Sequence, residues 1–131
     1  MHPLPNPHTA QPFHPEGWEG WGAALKTGAL VPLSEVDPEA TRDLFSVPVV
    51  ASLRAWLAFA KAPRPARAVR DALIVLRLYA SRRPCADAVP FVAVIPGNGS
   101  LRHPFLGLFG LDDSGQEIVT VVYQEEVACQ I

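Results

Sequence analysis

The residues of this sequence that could carry chemistry centre on His103. It is the one histidine beyond residue 14, and Tyr123, Glu117 and Glu125 fall on the segment predicted to form the neighbouring strand. A general base, a general acid and an arginine that holds phosphate would suffice for RNA cleavage by internal transesterification, because the substrate supplies its own nucleophile. His103 followed by Pro104 is equally typical of an ordinary strand start. His103 is therefore a catalytic candidate on residue type alone.

Basic side chains are concentrated in the middle of the chain. Residues 54–83 hold eight of the eleven Lys and Arg residues with Asp71 as their sole acid, whereas both flanks are acidic and the formal net charge is −2. Such segregation creates either a surface that meets an anion or an internal cancellation of charge. On helical projections, the side chains that would share one basic edge are Arg54, Lys61, Arg67, Arg70 and Arg77.

The basic edge has three interpretations. The acidic flanks could fold over it and neutralise it, an acidic protein could bind it, or a nucleic acid could bind it. Nucleic acid is disfavoured because Trp56 and Tyr79, the aromatics available for stacking, project with the apolar faces of their predicted helices. Neutralisation is the first expectation, and an anionic partner is the second.

The first 33 residues are predicted to form an extended arm. Prolines deny the backbone hydrogen-bond donors and fix φ, which excludes a core helix here. Trp18 and Trp21 lie three apart among glycines, so a flexible backbone could press both rings against one apolar surface. That surface is either the chain's own domain or a binding partner. The prolines on which this prediction rests are Pro3, Pro5, Pro7, Pro12 and Pro15.

Metal and cofactor sites are not indicated by the residue pattern. His2, His8 and His14 recur every six residues in the arm, but no cysteine or carboxylate accompanies them at ligand spacing. Cys85 and Cys129 form no short-spaced motif, and two reduced thiols are expected. The phosphate-loop and dinucleotide-binding glycine patterns do not occur. We therefore expect neither a metal nor a cofactor.

Periodicity predicts a single α+β domain over residues 34–131. Capping residues followed by proline indicate helix starts, and apolar runs between Gly, Pro and Asp turns indicate strands. The three helices are followed by an antiparallel meander of three strands. The predicted helices span residues 37–46, 47–61 and 65–82, and the predicted strands span residues 91–95, 105–111 and 116–125.

Composition bears on partners and location. Hydrophobic residues make up 49% and charged residues 18% of the 131 residues, which is more apolar material than a small monomer buries comfortably. This favours a protein partner or self-association. No apolar run reaches the length that spans a bilayer, and the chain start lacks the features of a signal peptide, so a cytoplasmic protein without membrane contact is expected.

These observations predict a small non-catalytic protein-interaction or assembly module that forms oligomers. Trp18 and Trp21 would provide one contact, and the basic edge would provide another. The alternative is a small endoribonuclease or RNA-binding protein that uses the basic edge and His103.

Overall fold

The computed structural model describes residues 21–97 and 102–128. Within these residues, five strands form one sheet and six helices surround it. The strands are β1 (Leu30–Pro32), β2 (Val49–Ser52), β3 (Ala88–Val94), β4 (Arg102–Leu111) and β5 (Glu117–Tyr123). The helices are α1 (Trp21–Thr27), α2 (Leu33–Val36), α3 (Pro38–Phe45), α4 (Leu53–Ala60), α5 (Pro65–Ser81) and α6 (Gln124–Ala128).

The sheet is mixed, with strand order β1-β2-β5-β4-β3. β3, β4 and β5 follow one another as antiparallel neighbours, and β1 pairs antiparallel with β2. β2 lies parallel to β5, with Val50 opposite Thr120. The long connection from β2 to β5 runs through α4, α5, β3 and β4, which brings the two halves of the chain into one sheet.

Capping residues and prolines set the helix starts. The Asp37 side chain accepts a hydrogen bond from the Ala40 N–H at 3.1 Å, and Pro38 occupies the first position of α3. The Ser52 hydroxyl accepts one from the Ala55 N–H at 3.2 Å and so begins α4 directly at the end of β2. α5 begins at Pro65.

The main core lies between one face of the sheet and helices α2 to α5. Phe59 of α4 stacks on Phe105 of β4, with 5.3 Å between ring centroids, and Phe91 of β3 packs against the same ring at 5.8 Å. Both faces of β5 are buried from Ile118 to Val122. This strand is therefore the centre of the domain.

The opposite face of the sheet is partly covered by α1. Trp21 and Ala24 pack there against Leu30, Val50 and Ile118. The Trp21 indole N–H donates a hydrogen bond of 3.2 Å to the hydroxyl of Thr120, a fully buried residue whose polar group is thereby satisfied. None of the helices in the described ranges is long and apolar enough to cross a membrane.

The predicted three-helix, three-strand architecture is wrong. The meander is real but belongs to a five-stranded mixed sheet. Residues 47–61 were predicted as one helix from the Val47-Pro48 signature, yet Val49–Ser52 is a buried strand. Four consecutive buried side chains gain more from packing on both faces of a sheet than from one helical stripe. Ser46, in the left-handed conformation with φ 60°, ends α3 instead of capping a second helix.

The extended arm predicted for residues 1–33 also needs correction where the structure describes it. Residues 21–27 form α1, and residues 30–32 form the edge strand β1. Gly28 takes a positive φ of 83° between them, a conformation that glycine adopts without strain. Residues 1–20, with the prolines that motivated the prediction, lie outside the described residues.

The contact between Gly107 and Leu76 yields a stability prediction. A Cβ at Gly107 would come within 2.6 Å of Leu76 Cδ1 and 2.8 Å of Cδ2, and Leu76 is fully buried, so its methyl groups have little room to move. We expect Gly107→Ala to lower the free energy of unfolding by about 1–3 kcal/mol through overpacking. Urea denaturation measures the change.

The matched control is Gly22→Ala in α1. The nearest atom to a Cβ at Gly22 is Asp113 Oδ2 at 3.9 Å, an ordinary contact distance. Alanine also favours the helix, so this variant should be as stable as the wild type or slightly more stable. Equal stability of Gly107→Ala and the wild type would show that the core at Leu76 adjusts freely.

Candidate functional site

A cleft of about 650 Å³ opens between α4, the end of β3 and the start of β4. Its lining combines two basic side chains, a His–Tyr pair and several apolar groups. The lining residues are Arg54, Leu57, Ala58, Lys61, Ile95, Pro96, Gly97, His103 and Tyr123.

His103 and Tyr123 form a hydrogen-bonded pair in this cleft. His103 Nδ1 and the Tyr123 hydroxyl are 2.8 Å apart. Tyr123 lies opposite Phe105 in the β4–β5 register, and His103 lies two residues before Phe105, so all three side chains share one face of the sheet. The His103 ring stacks on Phe105 with 5.9 Å between centroids, and the Tyr123 ring lies 4.7 Å from Phe105. The sheet therefore fixes the pair.

Arg54 covers the Tyr123 ring. The guanidinium carbon lies 5.0 Å from the ring centroid, and Arg54 Nη2 forms an ion pair with Glu125 Oε1. Both partners remain more than half exposed, with side-chain accessibilities of 56% and 59%. Arg54 therefore combines a cation–π contact with a solvent-exposed carboxylate contact.

Glu126 forms hydrogen bonds with the last residues of both β2 and β5. Its Oε2 accepts hydrogen bonds from the Ser52 hydroxyl at 2.8 Å and from the Tyr123 N–H at 2.7 Å. The second hydrogen bond is part of a capping box: Glu126, the third residue of α6, accepts from the N–H of Tyr123, the residue before the helix. Because Ser52 also caps α4, one carboxylate links the starts of two helices beside the cleft.

Burial keeps the His–Tyr pair neutral. Loss of solvent lowers the pKa of His103 below its ordinary 6.5. Burial raises the pKa of Tyr123, with the charge of Arg54 opposing and that of Glu126 adding to this shift. A neutral Tyr123 O–H can donate to Nδ1 of a neutral His103, which leaves Nε2–H as a donor. The charges of the cleft are then those of Arg54 and Lys61.

The five residues of the predicted basic edge lie in different surroundings in the structure. Arg54 and Lys61 line the cleft. Arg70 is bound to Asp37, with Nε–Oδ2 at 3.0 Å and Nη2–Oδ1 at 3.3 Å, and so joins α5 to the start of α3. Arg67 lies 4.0 Å from Asp71 on the exposed side of α5.

Arg77, the last member of the edge, is half-buried further along α5 and has no ion pair among the described residues. Three of the five residues of the predicted edge, Arg54, Arg67 and Arg70, therefore have an acidic partner.

The two predicted tryptophan contacts differ in position. Trp21 is 6% exposed and packs in the domain's second core. Trp18 lies outside the described residues, as do His2, His8, His14 and Cys129. Cys85 is a free, exposed thiol. In residues 21–97 and 102–128, no group of three or more His, Cys, Asp or Glu side chains is placed to hold a metal ion.

Sequence reasoning missed the apolar part of the cleft. Leu57 lines the cleft and is 47% exposed, whereas Ala55 and Phe59 of the same helix face the core. Helix α4 is apolar on nearly all sides, so a projection could not select the buried side. The position of the polar Arg54 was a usable signal, because Leu57 lies three residues after it and so on the same side of the helix.

Compared with protein-family models, with curated proteins and with solved structures, the chain shows no match. Its function is therefore argued from the geometry of the cleft.

His103 makes stability depend on pH with a definite sign. Because its folded pKa lies below the ordinary 6.5, the unfolded chain binds the proton more tightly. Its stabilising contribution is complete above pH 6.5 and is lost as the pH falls from 6.5 towards the folded pKa. Urea denaturation at about pH 7.5 and about pH 5.5 should therefore show a smaller loss of stability in His103→Gln than in the wild type.

NMR titration of the His103 ring provides the direct measurement, since it gives the folded pKa. A value at or above 6.5 would contradict this prediction. So would an identical pH dependence of unfolding in the wild type and His103→Gln.

Proposed function

We propose that this protein is a non-catalytic interaction module that binds an acidic segment of a partner protein in the cleft beside α4. The observation that carries the proposal is the convergence of Arg54 and Lys61 with the neutral His103–Tyr123 pair around an apolar wall. Cations and a neutral N–H donor suit a carboxylate, and the apolar wall suits a neighbouring aliphatic side chain.

The Arg54–Glu125 ion pair supports carboxylate as the ligand group. Arg54 already binds a carboxylate from α6 in the open, solvent-exposed geometry that an incoming side chain would use. Such exposed pairs contribute about 0–1 kcal/mol to stability, so replacing Glu125 by a carboxylate of the ligand costs little free energy. Lys61 is exposed and has no ion pair among the described residues, which leaves it available for a second carboxylate.

The apolar wall supports a peptide over a nucleic acid. Leu57, Ile95 and Pro96 line the cleft and present no hydrogen-bonding side chain. The Tyr123 ring is covered by Arg54 on one side and packed against Phe105, so it is not an open platform for a base.

Self-association and a cytoplasmic location belong to this proposal. Val92 and Val94 are exposed by 43% and 58% on the sheet face opposite the main core, which supports a further protein contact. An exposed thiol at Cys85 suits a reducing compartment. Trp18 is proposed as an additional contact, whereas Trp21 contributes to the core of its own domain.

Charge changes in the cleft should alter peptide binding in opposite directions. The probe is a Glu-Leu-Glu-Leu peptide, titrated into the full chain and followed by NMR. Lys61→Glu replaces attraction by repulsion and should raise the Kd on the order of tenfold. Glu125→Gln removes the competing carboxylate from Arg54 and should lower the Kd by up to about fivefold.

Lys26→Glu is the matched control, because Lys26 is an exposed lysine on α1, which packs against the sheet face opposite α4. It should leave the Kd unchanged, and a Gln-Leu-Gln-Leu peptide should not bind. Equal affinity of the wild type and Lys61→Glu for the acidic peptide would remove the basis of the proposal.

RNA cleavage is the second candidate, and one observation favours it. The 2.8 Å His103–Tyr123 contact places two proton-transfer groups in the same cleft as Arg54 and Lys61. If the cleft only binds peptide, a single-stranded RNA of about ten nucleotides should remain intact after incubation with the full chain. A 2′,3′-cyclic phosphate product that disappears in His103→Ala would establish the nuclease instead.

A further inference from the structure

A second, smaller cavity adjoins the cleft at the turn between α4 and α5. It has a volume of about 240 Å³ and shares Pro96 with the first cavity. The turn that carries Lys61, Ala62, Pro63 and Arg64 separates the two. Pro96 thus lies in the lining of both cavities.

The second cavity brings two more cations. Arg64 and Arg67 line it together with one carboxylate, Asp71, and with the apolar Ala62, Pro63, Ala68 and Pro96. Arg64 is exposed and has no ion pair among the described residues. Arg67 approaches Asp71 only at 4.0 Å, with both side chains largely exposed at 72% and 59%. An ion pair of that geometry holds its partners weakly, so the Arg67 charge is available to a ligand.

The spacing of these cations matches an extended chain. Three peptide links separate Lys61 from Arg64, which limits their Cα atoms to about 11 Å. Arg64 precedes α5 and Arg67 lies in its first turn, three residues further on, so the same limit of about 11 Å applies to their Cα atoms. In an extended segment, side chains on the same face recur about every 6.8 Å. Acidic side chains at alternate positions would therefore meet successive cations across the turn.

We propose that the ligand is an extended acidic segment of a partner protein that crosses the α4–α5 turn and occupies both cavities. Its acidic side chains contact Lys61, Arg64 and Arg67 in turn, and its intervening aliphatic side chains pack against Pro96 and Ala62. This inference rests on the proposed function, because the first cavity must bind a carboxylate. It adds the path of the bound segment across the α4–α5 turn and the length that this path requires. Charge complementarity and the mixed lining select this occupant.

The test compares a short and a long peptide on the same variants. The long probe is a fluorescein-labelled peptide of about eight residues with alternating Glu and Leu, measured by fluorescence anisotropy; the short probe is Glu-Leu-Glu-Leu. We expect Arg64→Glu and Arg67→Glu each to weaken binding of the long peptide on the order of tenfold. The short peptide, held in the first cavity by Arg54 and Lys61, should change by less than about twofold.

Each other outcome is decisive. If Lys61→Glu weakens both peptides while Arg64→Glu weakens neither, the extended path is wrong and the proposed function stands. If none of these variants changes either affinity, both proposals are wrong. If light scattering shows a dimer that dissociates in Arg64→Glu, the occupant is a second copy of the chain.

If RNA binds more tightly than the long peptide and this binding is lost in Arg64→Glu, the occupant is a nucleic acid and not an acidic segment. Thermal unfolding of each variant confirms that these exposed substitutions leave the fold intact.

Discussion

The parallel pairing of β2 with β5 is the constraint on which the rest of the structure depends. Parallel strands end at the same edge of a sheet, so whatever follows each strand meets there. β2 is followed by α4, and β5 is followed by α6. Arg54 therefore meets Tyr123 and Glu125 although about seventy residues separate them in the chain. Without this pairing the cleft would have no common edge on which to form.

The same edge explains why the basic middle of the chain is not one uniform surface. Asp37 caps α3 and binds Arg70, so that charge is used to hold α5 against α3. Glu125 binds Arg54, whereas Lys61 and Arg64 project from the α4–α5 turn with no acidic partner in the described part of the chain. Arg77, further along α5, also has no ion pair among the described residues. Four of the eight cations of the basic stretch line the two cavities, namely Arg54, Lys61, Arg64 and Arg67.

Local signals in the sequence predicted some elements well. Asp37-Pro38 and Pro65 mark the starts of α3 and α5, and the turns near residues 97 and 113 separate three strands at the C-terminal end. These signals act within a few residues. β2 escaped prediction because its identity depends on pairing with β5, a contact far away in sequence, while Val47-Pro48 imitates a helix start. β1 has only three residues and lacks a periodic pattern.

Individual site residues were easier to predict than their convergence. His103, Arg54 and Lys61 are recognisable by residue type, but their assembly requires the β2–β5 pairing and the rotation of α4. Glu126, which holds α4 and α6 together, carried no signal because its partner Ser52 was placed inside a predicted helix. A helix that is apolar on nearly every side offers no basis for choosing its buried face, so the exposed Leu57 could not be recognised as part of a binding wall.

The two glutamates of α6 make separate contacts, and the proposed binding of a carboxylate would disturb only one of them. Glu126 is half-buried and accepts two hydrogen bonds from groups that begin α4 and α6, so its loss would loosen the edge of the sheet. Glu125 is exposed, and its partner among the described residues is Arg54. Under the proposed function, an incoming carboxylate would take the place of Glu125 while Glu126 keeps both helices in position. The Arg54 guanidinium would then exchange one carboxylate for another above the Tyr123 ring that it covers.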